Sequence, residues 1–297
     1  MKYMTVGYIG VGAMGGAIAR RMLTQGVHVL VYDSNALATD RMVERGAMRA
    51  GSIEEVVNSA EIVFACLPKP EVSREVALGP GGVWAGSKIK YYVENSTVGA
   101  TTISEIDKVL SSKGISVLDV PVTGAVMAAE AGTLGVLVSG PVSALEVVRP
   151  VLETFAGKIL NFGSIPGQAQ VAKLVNNALA FANLFGAFEA LAVGVRAGID
   201  KKVLVDLFNV GSAANFATGK ILPNYILPGR FEGLGAMETG TKDLGLYLEE
   251  VERLGIQSPI AAKMAQLGAE IIAQGTPGQD TTTAYFYFCK LAGLEPT

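Results

Sequence analysis

The sequence predicts an α/β protein, with a doubly wound, mostly parallel sheet followed by an all-helical region. Three observations support this fold class. Short apolar runs alternate with helical patterns in the first half of the 297 residues, a glycine motif separates the first run from the first helix, and the second half has helical patterns and loops alone. We place the two domains at residues 1–165 and 166–297, and we expect a long interdomain helix to open the second.

Two apolar runs of strand length, residues 4–9 and 27–32, open the first domain. A helical pattern through Ile18, Met22 and Leu23 lies between them. The further strand candidates, in chain order, are residues 62–67, 90–94, 116–120 and 135–139. Strands that alternate with helices in this way predict a parallel sheet with helices on both faces.

A G-x-G-x-x-G motif joins the first strand to the first helix. It consists of Gly10, Val11, Gly12, Ala13, Met14 and Gly15. In such a turn the first glycine allows the tight bend, the second lets a pyrophosphate approach the backbone, and the third lets the helix pack close to the strand. The helix N-terminus presents N–H groups and the positive end of its dipole to the phosphates. The motif therefore predicts a Rossmann-type site for a dinucleotide.

The second strand ends in Asp33, about 20 residues after the glycines, where a carboxylate can accept hydrogen bonds from both ribose hydroxyls. The same carboxylate would repel a 2′-phosphate, and the nearest following arginine is Arg41. We therefore expect NAD as the cofactor, in preference to NADP. The alternative is that Asp33 is only a turn residue at a strand end, which leaves the glycines upstream unexplained.

The stretch GQAQVAKLVNN places Lys173 and Asn177 four residues apart, on one face of a helix. Their neighbours are apolar: Val171, Leu174, Val175, Ala178 and Leu179. Burial of an ammonium or an amide without a partner is costly, so the pair indicates a chemical role, with a lysine that exchanges a proton and an asparagine that holds substrate. The alternative is a surface lysine beside a helix-face asparagine.

Residues 178–195 approach the length of a membrane span, but they include Asn183 and Glu189. We interpret them as part of a long helix over residues 168–197 in the core of a soluble protein. Small residues recur along it at every fourth position: Ala178, Ala182, Gly186, Ala190 and Gly194. Such a ridge allows the close approach of another helix, from the same chain or from a partner subunit.

The composition is that of a soluble, cytoplasmic enzyme. A net charge of −3 without a long basic run argues against nucleic acid as a partner. Cys66 and Cys289 each lie in an apolar run and His28, the single histidine, lies in a strand, so neither a disulfide framework nor a histidine-based metal site is expected. The first strand starts at once, from which we expect no targeting segment, and we expect no membrane association.

Three further motifs have chemical interest. Thr123, Gly124 and Ala125 follow a strand, and their turn can offer backbone N–H groups to a carboxylate, although an ordinary loop is the alternative. Residues 95–97 follow another strand at the sheet edge where such folds bind ligands, although a helix cap is the alternative. Lys242 lies near a helix start, against the dipole, so it is either exposed or directed at an anion.

Together these motifs resemble the β-hydroxyacid dehydrogenase family, which includes 3-hydroxyisobutyrate and tartronate semialdehyde dehydrogenases and, more distantly, 6-phosphogluconate dehydrogenase. The resemblance covers nearly the whole chain and rests on the order and spacing of G-x-G-x-M-G, Leu67-Pro68, Ser96-Thr97, DVPVTGA with GTL, GQAQVAKLVNN and KDL. It implies a Rossmann-like domain, an all-helical domain that builds a homodimer or homotetramer, and hydride transfer between NAD(H) and a small 3-hydroxy acid or semialdehyde.

The resemblance also implies roles for residues at the substrate. Lys173 would be the catalytic lysine, and Asn177 would help to position the substrate. Thr123, Gly124 and Ala125 would form a cradle for the substrate carboxylate. The sequence departs from the family here, because the family usually has Ser-Gly-Gly at these three positions. Only Thr123 and Ala125 differ, and both changes add a methyl group, while a hydroxyl is retained at Thr123.

At the cofactor, the resemblance implies that Thr97 and Lys242 contact the nicotinamide end or the substrate. Leu67, Pro68 and Val72 would lie beside the adenosine half.

A second departure concerns the wall of the acyl pocket. Many members have Phe seven residues before the KDL lysine and Leu three residues before it, whereas this chain has Gly235 and Thr239. A smaller and more polar wall predicts a substrate that is bulkier or more polar than the usual ones.

The proton transfer sets a condition on the lysine. To accept a proton during oxidation it must be a neutral amine, although its reference pKa is about 10.4, so burial and a nearby positive charge such as Lys242 would have to lower that pKa. In reduction the ammonium form donates the proton and needs no such shift.

Two other functions remain open. Imine reductases share this architecture, but they usually replace the lysine and use NADPH, so Lys173 and Asp33 argue against that activity. Some relatives keep the fold as a non-catalytic module that binds the dinucleotide and oligomerises, and these lack the lysine.

Overall fold

The structure is a computed structural model that describes residues 5–295. The chain divides into two compact units, Met1–Lys173 and Leu174–Thr297. The predicted domain boundary after residue 165 lies shortly before this division. Met4, the first residue of the first predicted strand, lies outside the described residues.

The N-terminal unit contains a six-stranded parallel sheet. Its strands are β1 (Thr5–Ile9), β2 (His28–Tyr32), β3 (Met48–Arg49), β4 (Ile62–Ala65), β5 (Tyr91–Glu94) and β6 (Ser116–Asp119). They lie in the order β3-β2-β1-β4-β5-β6, with Gly7 of β1 opposite Leu30 on one side and Val63 on the other. The order reverses between β1 and β4, the switch point at which doubly wound sheets bind ligands. The predicted fold class is confirmed.

Five helices connect these strands. They are α1 (Ala13–Thr24), α2 (Ala36–Val43), α3 (Ile53–Ser59), α4 (Pro70–Leu78) and α5 (Ala100–Ser112), with a short 3₁₀ turn at Val83–Ala85. Asn35 caps α2 and Ser52 caps α3, each by accepting a backbone N–H from the first turn. Pro70 lies in the first turn of α4, where its missing N–H costs no helical hydrogen bond.

A second sheet of three strands follows in the same unit. It contains β7 (Val122–Thr123), β8 (Leu134–Val138) and β9 (Ala156–Asn161), with α6 (Val126–Ala131) and α7 (Val142–Leu152) between them. β7 is antiparallel to β8, and β9 is parallel to it. The strand expected at 135–139 therefore exists one residue earlier, but it belongs to this second sheet. Placing it in the parallel sheet was wrong, because a two-residue strand such as β7 carries too little pattern to reveal the antiparallel turn.

Apolar side chains cover both faces of the parallel sheet. Along β4, Ile62 and Phe64 belong to one buried cluster, while Val63 and Ala65 belong to the other. This two-residue alternation between two buried faces explains why the central strands read as continuous apolar runs.

The C-terminal unit is helical, as predicted. Its elements are the remainder of α8 (Gln168–Arg196), α9 (Lys201–Val210), a π-helical segment Ala217–Ile226, α10 (Met237–Arg253), α11 (Pro259–Gln274), a 3₁₀ turn Thr281–Thr283 and α12 (Ala284–Leu291). Aromatic rings form the centre of its core: Phe185 lies 5.6 Å from Phe288, and Phe188 lies 5.8 Å from Tyr285, between ring centroids. Such edge and tilted pairs add to the stabilisation from area burial.

Helix α8 is long and apolar enough to cross a membrane by length and composition, a test that core helices of soluble proteins also pass. Leu184, Phe188 and Leu191 are buried in the helical core. On its ridge of small residues, a Cβ on Gly194 would collide with Leu204 of α9, so the glycine permits that contact, whereas Gly186 faces open space.

Candidate active site

The glycine motif forms the turn between β1 and α1. Gly10 has φ +83°, and a Cβ at this position would collide with the carbonyl oxygen of Cys66. A Cβ on Gly15 would collide with the carbonyl oxygen of Gly10, whereas a Cβ on Gly12 would meet open space. Glycine is therefore needed at positions 10 and 15 by the turn itself, and the space beside Gly12 is open to a ligand.

The N-terminus of α1 has the features of an anion-binding site. Gly12 is its N-cap without a side-chain hydrogen bond, Ala13 and Met14 begin the helix, and no acidic residue lies in its first turn. The N–H groups of this turn are thus offered to phosphate, with the helix dipole behind them.

Asp33 lies beside the same turn, at the end of β2. Its Oδ2 accepts the N–H of Val11 at 2.8 Å, and its Oδ1 accepts the N–H of Asn35 at 2.8 Å. These bonds fix the carboxylate next to the glycines, and each oxygen keeps a lone pair for a hydroxyl. The residues present fit a dinucleotide with a free 2′-hydroxyl, as NAD has.

The loops after β4 and β5 are tied together. The N–H of Leu67 donates to Oγ of Ser96 at 2.6 Å, and the Ser96 hydroxyl donates to the carboxylate of Glu94. Glu94 is completely buried, and burial raises its pKa, against the lowering effect of bonds from Ser96 and from the Tyr92 hydroxyl at 2.8 Å. Glu94 was not predicted as a site residue, because an acidic residue at a strand end produces no periodic pattern in the sequence.

Three more of the expected cofactor residues lie around these loops. Pro68 is exposed, Val72 is half-buried in α4, and Thr97 is half-buried directly after Ser96. Leu67 and Thr97 are thus brought onto two hydrogen-bonded loops at the carboxyl edge of the sheet, where ligands bind in this fold class.

The turn proposed for a carboxylate follows β7. Thr123 is half-buried, while Gly124 and Ala125 are exposed. Gly124 has φ +127°, and a Cβ there would also collide with Leu134, so only glycine suits this position. Ala125, by contrast, has extended backbone and precedes the short helix α6, which shows how an alanine is accommodated where the family usually has glycine.

In the C-terminal unit, Asn177 is joined to Lys242 through an acid that the sequence analysis did not single out. Asn177 Nδ2 donates to Oδ2 of Asp243 at 2.7 Å. Lys242 Nζ lies 3.1 Å from Oδ1 of Asp243, whose side chain is only 7% exposed. The sequence signal for Asp243 was its place in the KDL motif, directly after Lys242.

Lys173 lies one helical turn before Asn177 in α8 and is half-buried. The surrounding face is less buried than the sequence indicated, since Leu174 is 1% exposed but Val175 is 51% and Leu179 63% exposed. An apolar helix face can pack into the core of its own chain or stay exposed in the single chain, and residue type alone does not distinguish the two cases.

The loop before α10 contains Gly235, one of the two positions at which the acyl wall was expected to differ. A Cβ on Gly235 would meet nothing within van der Waals reach, but the residue has φ +100°, so any side chain there would be strained. Its N–H donates to Oδ2 of Asp280 at 2.9 Å. Thr239 lies in the first turn of α10 and is exposed.

A cavity of about 380 Å³ lies between α8 and the region of α9. Its α8 residues are Ala182, Asn183, Gly186, Ala187 and Ala190. At 100° per residue, Ala182 and Gly186 lie on the side of α8 away from Lys173, whereas Ala187 lies only about 40° from it, so the cavity reaches round towards the predicted catalytic face. Within residues 5–295, no group of three or more His, Cys, Asp or Glu side chains is placed to hold a metal ion.

Comparisons with known proteins agree with this geometry. A family model described as the NAD binding domain of 6-phosphogluconate dehydrogenase matches residues 5–163. A second, described as NAD-binding of NADP-dependent 3-hydroxyisobutyrate dehydrogenase, matches residues 167–288.

Individual relatives match over nearly their full length. The 2-(hydroxymethyl)glutarate dehydrogenase of Eubacterium barkeri is 30% identical over 295 residues, which is 99% of this chain and 98% of that protein. The 3-hydroxyisobutyrate dehydrogenase of Pseudomonas aeruginosa is 33% identical over 86% of this chain and 88% of its own. The structure of Mycobacterium tuberculosis 3-hydroxyisobutyrate dehydrogenase with L-serine superposes with a TM-score of 0.88 at 27% identity, covering 96% of this chain and 98% of that one.

The chain belongs to the β-hydroxyacid dehydrogenase family and is an oxidoreductase with an NAD-binding domain. A Streptomyces aurantiacus imine reductase, at 20% identity and a TM-score of 0.66, shares the fold alone.

Proposed function

We propose that the protein transfers a hydride between NAD(H) and a small 3-hydroxy acid or its semialdehyde, with Lys173 as the proton donor or acceptor. The observation that carries this proposal is the contact of Asn177 with Asp243, which pairs with Lys242. It supplies an anchored amide one helical turn from Lys173, and an oriented amide is suited to hold a substrate hydroxyl.

The bound cofactor supplies the redox chemistry by exchanging a hydride at its nicotinamide ring. In reduction, the ammonium of Lys173 donates a proton to the oxygen that becomes the hydroxyl. In oxidation, the neutral amine of Lys173 takes the hydroxyl proton as the hydride leaves the carbinol carbon. The reaction is balanced, because one hydride and one proton are moved in each direction.

The substrate carboxylate is assigned to the turn of Thr123, Gly124 and Ala125. The exposure of Gly124 and Ala125 leaves backbone N–H groups of the turn accessible, and the Thr123 hydroxyl can add one donor. For the acyl group, the small residue Gly235, at a position where many family members have Phe, supports a substrate bulkier than hydroxyisobutyrate.

The test is replacement of the lysine. Lys173→Ala should lower kcat by about 10²–10⁴-fold and leave the dissociation constant of NAD nearly unchanged, because a general acid–base group acts in the reaction and not in cofactor binding. Lys202→Ala, which removes an exposed lysine paired with Asp206 on α9, is the control and should keep full activity. Activity of Lys173→Ala within threefold of wild type would show that the lysine assignment is wrong.

The substrate and the alternatives are resolved by one set of assays. Turnover is measured on a panel of C3 to C6 hydroxy acids with NAD and on cyclic imines with NADPH, and melting shifts are recorded with each dinucleotide alone. Turnover of the imines only would indicate an imine reductase, and melting shifts without turnover would indicate a binding module.

We also propose that the protein is cytoplasmic and forms a homodimer or homotetramer through its helical unit. Apolar side chains are exposed there on α8 and α9: Val175, Leu179, Val193, Val203, Leu207 and Val210. Exposed apolar residues of this number on neighbouring helices are typical of an interface. Light scattering with size-exclusion chromatography should give at least twice the monomer mass of 30.9 kDa.

A further inference from the structure

We propose that Gln170, held by Asp119, is a positioning residue that fixes the loop carrying Thr97 against the start of the helix carrying Lys173. The inference rests on the function proposed above, since it assigns those two residues to the reaction. All the contacts that support it lie within the N-terminal unit.

The side-chain amide of Gln170 uses every hydrogen-bonding position that it has. Its Oε1 accepts the N–H of Val98 at 2.9 Å and of Gly99 at 3.1 Å. Its Nε2 donates to the carbonyl of Ser96 at 2.9 Å and to Oδ1 of Asp119 at 2.7 Å. Gln170 therefore holds the backbone on both sides of Thr97, and the two donors and two acceptors leave only one orientation of the amide.

Asp119, at the end of β6, fixes the other side of this contact. Its Oδ2 accepts the N–H of Gly167 and the N–H of Gln170, each at 3.0 Å, and the Ser139 hydroxyl at 3.1 Å. Every partner is a donor, which matches an ionised carboxylate at the positive end of α8. Asp119, Gln170 and Ser139 have no exposed surface, so water cannot replace these bonds.

Capping the start of α8 does not require all of these hydrogen bonds. The bond from the Gln170 N–H to Asp119 already satisfies the helix start, and capping requires no side chain that reaches into a second loop. The bonds to Ser96, Val98 and Gly99 add nothing to the cap. Their effect is to join the loop of Thr97 to the first turn of α8, three residues before Lys173.

Two substitutions separate alignment from folding. Gln170→Glu keeps the size of the side chain but removes both N–H donors, and Gln170→Met removes all hydrogen bonding without adding a charge. Gln168→Glu is the matched control, because Gln168 is the same residue type in the same helical turn but is exposed. Each variant is assayed with NAD and 3-hydroxyisobutyrate, or with the best substrate of the panel above, and amide hydrogen exchange is followed at Val98 and Gly99.

We expect both Gln170 variants to lower kcat by about 10²-fold, since a displacement near 1 Å of reacting groups has that effect. The KM for NAD should stay within threefold of wild type, because the glycine turn and Asp33 are untouched. The amides of Val98 and Gly99 should exchange faster in Gln170→Met, which removes their acceptor Oε1, and Gln168→Glu should match wild type in every measurement.

The proposal is overturned if kcat stays within threefold of wild type in the Gln170 variants, or if KM for NAD rises while kcat is unchanged. Failure of both variants to fold would also overturn it, because the contact would then serve folding. Exchange at Val98 and Gly99 does not depend on turnover, so unchanged protection in Gln170→Met contradicts the proposal even where Lys173→Ala has shown the lysine assignment to be wrong.

Discussion

Asp119 in the N-terminal unit and Asp280 in the C-terminal unit each accept several hydrogen bonds that fix a neighbouring segment of backbone. They differ in how deeply the carboxylate is buried. Asp119 has no exposed surface and accepts hydrogen bonds around the start of α8. Asp280 is half-buried and holds the loop before α10. The donors at Asp280 are the N–H groups of Gly233, Leu234, Gly235 and Thr282 and the hydroxyl of Thr282.

The pKa values of these two carboxyl groups move in opposite directions. Burial raises the pKa of Asp119 to about 6, although hydrogen bonds from Gln170, Ser139 and Gly167 oppose it. At Asp280 partial burial also favours the neutral form, but the donors on Thr282, Gly235 and Gly233 outweigh it and hold the pKa below 3.8. Donors lower the pKa of both carboxyl groups, and the fuller burial of Asp119 outweighs them there whereas the partial burial of Asp280 does not.

The largest effect should come from removing the Asp280 carboxylate. Asp280→Ala leaves three consecutive N–H groups without their acceptor, and bonds to a charged group each contribute about 1.5–3 kcal/mol, so we expect a loss of about 3 kcal/mol in the free energy of unfolding after water has partly replaced them. Urea unfolding measures this change. Asp206→Ala, which removes an exposed carboxylate paired with Lys202, should change it by less than about 1 kcal/mol. Equal losses in the two variants would contradict the role of Asp280.

The dependence of stability on pH tests whether the pKa values of Asp119 and Asp280 are shifted in opposite directions. Native Asp119 has a pKa of about 6, above its ordinary 3.8, so between these values the folded protein retains a proton that the unfolded chain has released. Stability should therefore fall as pH rises through this window, by at most about 3 kcal/mol. Asp119→Asn should remove this part of the slope, measured as the difference from wild type because Glu94, its register partner on β5, also has a raised pKa.

Asp280 should show the opposite sign. Its lowered pKa means that its contribution is fully present above pH 3.8 and is lost as pH falls through the lower native value. Asp280→Asn should thus reduce stability at neutral pH and have little effect in strong acid. If both Asn variants change the pH profile in the same direction, the opposing pKa shifts are wrong.

Asp33 is a third aspartate that accepts backbone N–H groups, and its charge should set cofactor choice. Asp33→Ser should lower the ratio of kcat/KM for NAD to that for NADP by about tenfold or more, since repulsion of the 2′-phosphate is lost. Asp33→Asn removes the charge and keeps an acceptor for the Val11 N–H, so it separates charge from loop geometry. A wild-type preference for NADP would show that the charge argument is wrong.

The smallest effect is expected at the acyl wall. The loop geometry makes Gly235→Phe unsuitable as a test, because φ +100° strains any side chain. Thr239→Leu restores the bulk usual in the family on a helical residue, and pocket changes of this size alter selectivity by about 10-fold. The C5 and C6 acids should lose more kcat/KM than the C3 and C4 acids. A flat size profile in both proteins would exclude the enlarged pocket.

Features that depend on neighbouring residues could be read from the sequence. The glycine turn, Asp33 and the central strands are signalled by spacing within about 30 residues, and the structure has them where that spacing indicated. The strand 135–139 was placed in the wrong sheet because pairing partners are not local. Val175 and Leu179 were predicted to be buried but are exposed, because an apolar residue type does not show which surface, if any, packs against it.

The two aspartate contacts were beyond sequence reasoning for the same reason. Asp119 and Gln170 are 51 positions apart, and Asp280 and Gly233 are 47 apart. Neither acid belongs to a periodic pattern, and each partner is an ordinary backbone or amide group. Only the fold brings them together, whereas Lys173 and Asn177 share a helix and could be paired by counting.

The edges of the parallel sheet affect how the protein behaves at high concentration. One edge is β3, a strand of two residues whose Arg49 forms an ion pair with Asp40. An edge this short and charged gives a foreign strand few N–H and C=O groups to pair with. At the other edge, β6 is bridged to the second sheet between Asp119 and Ser139. The sheet is thereby protected against fibril-like growth, so aggregation on storage or overexpression should start from the apolar helical surfaces and respond to substitutions there.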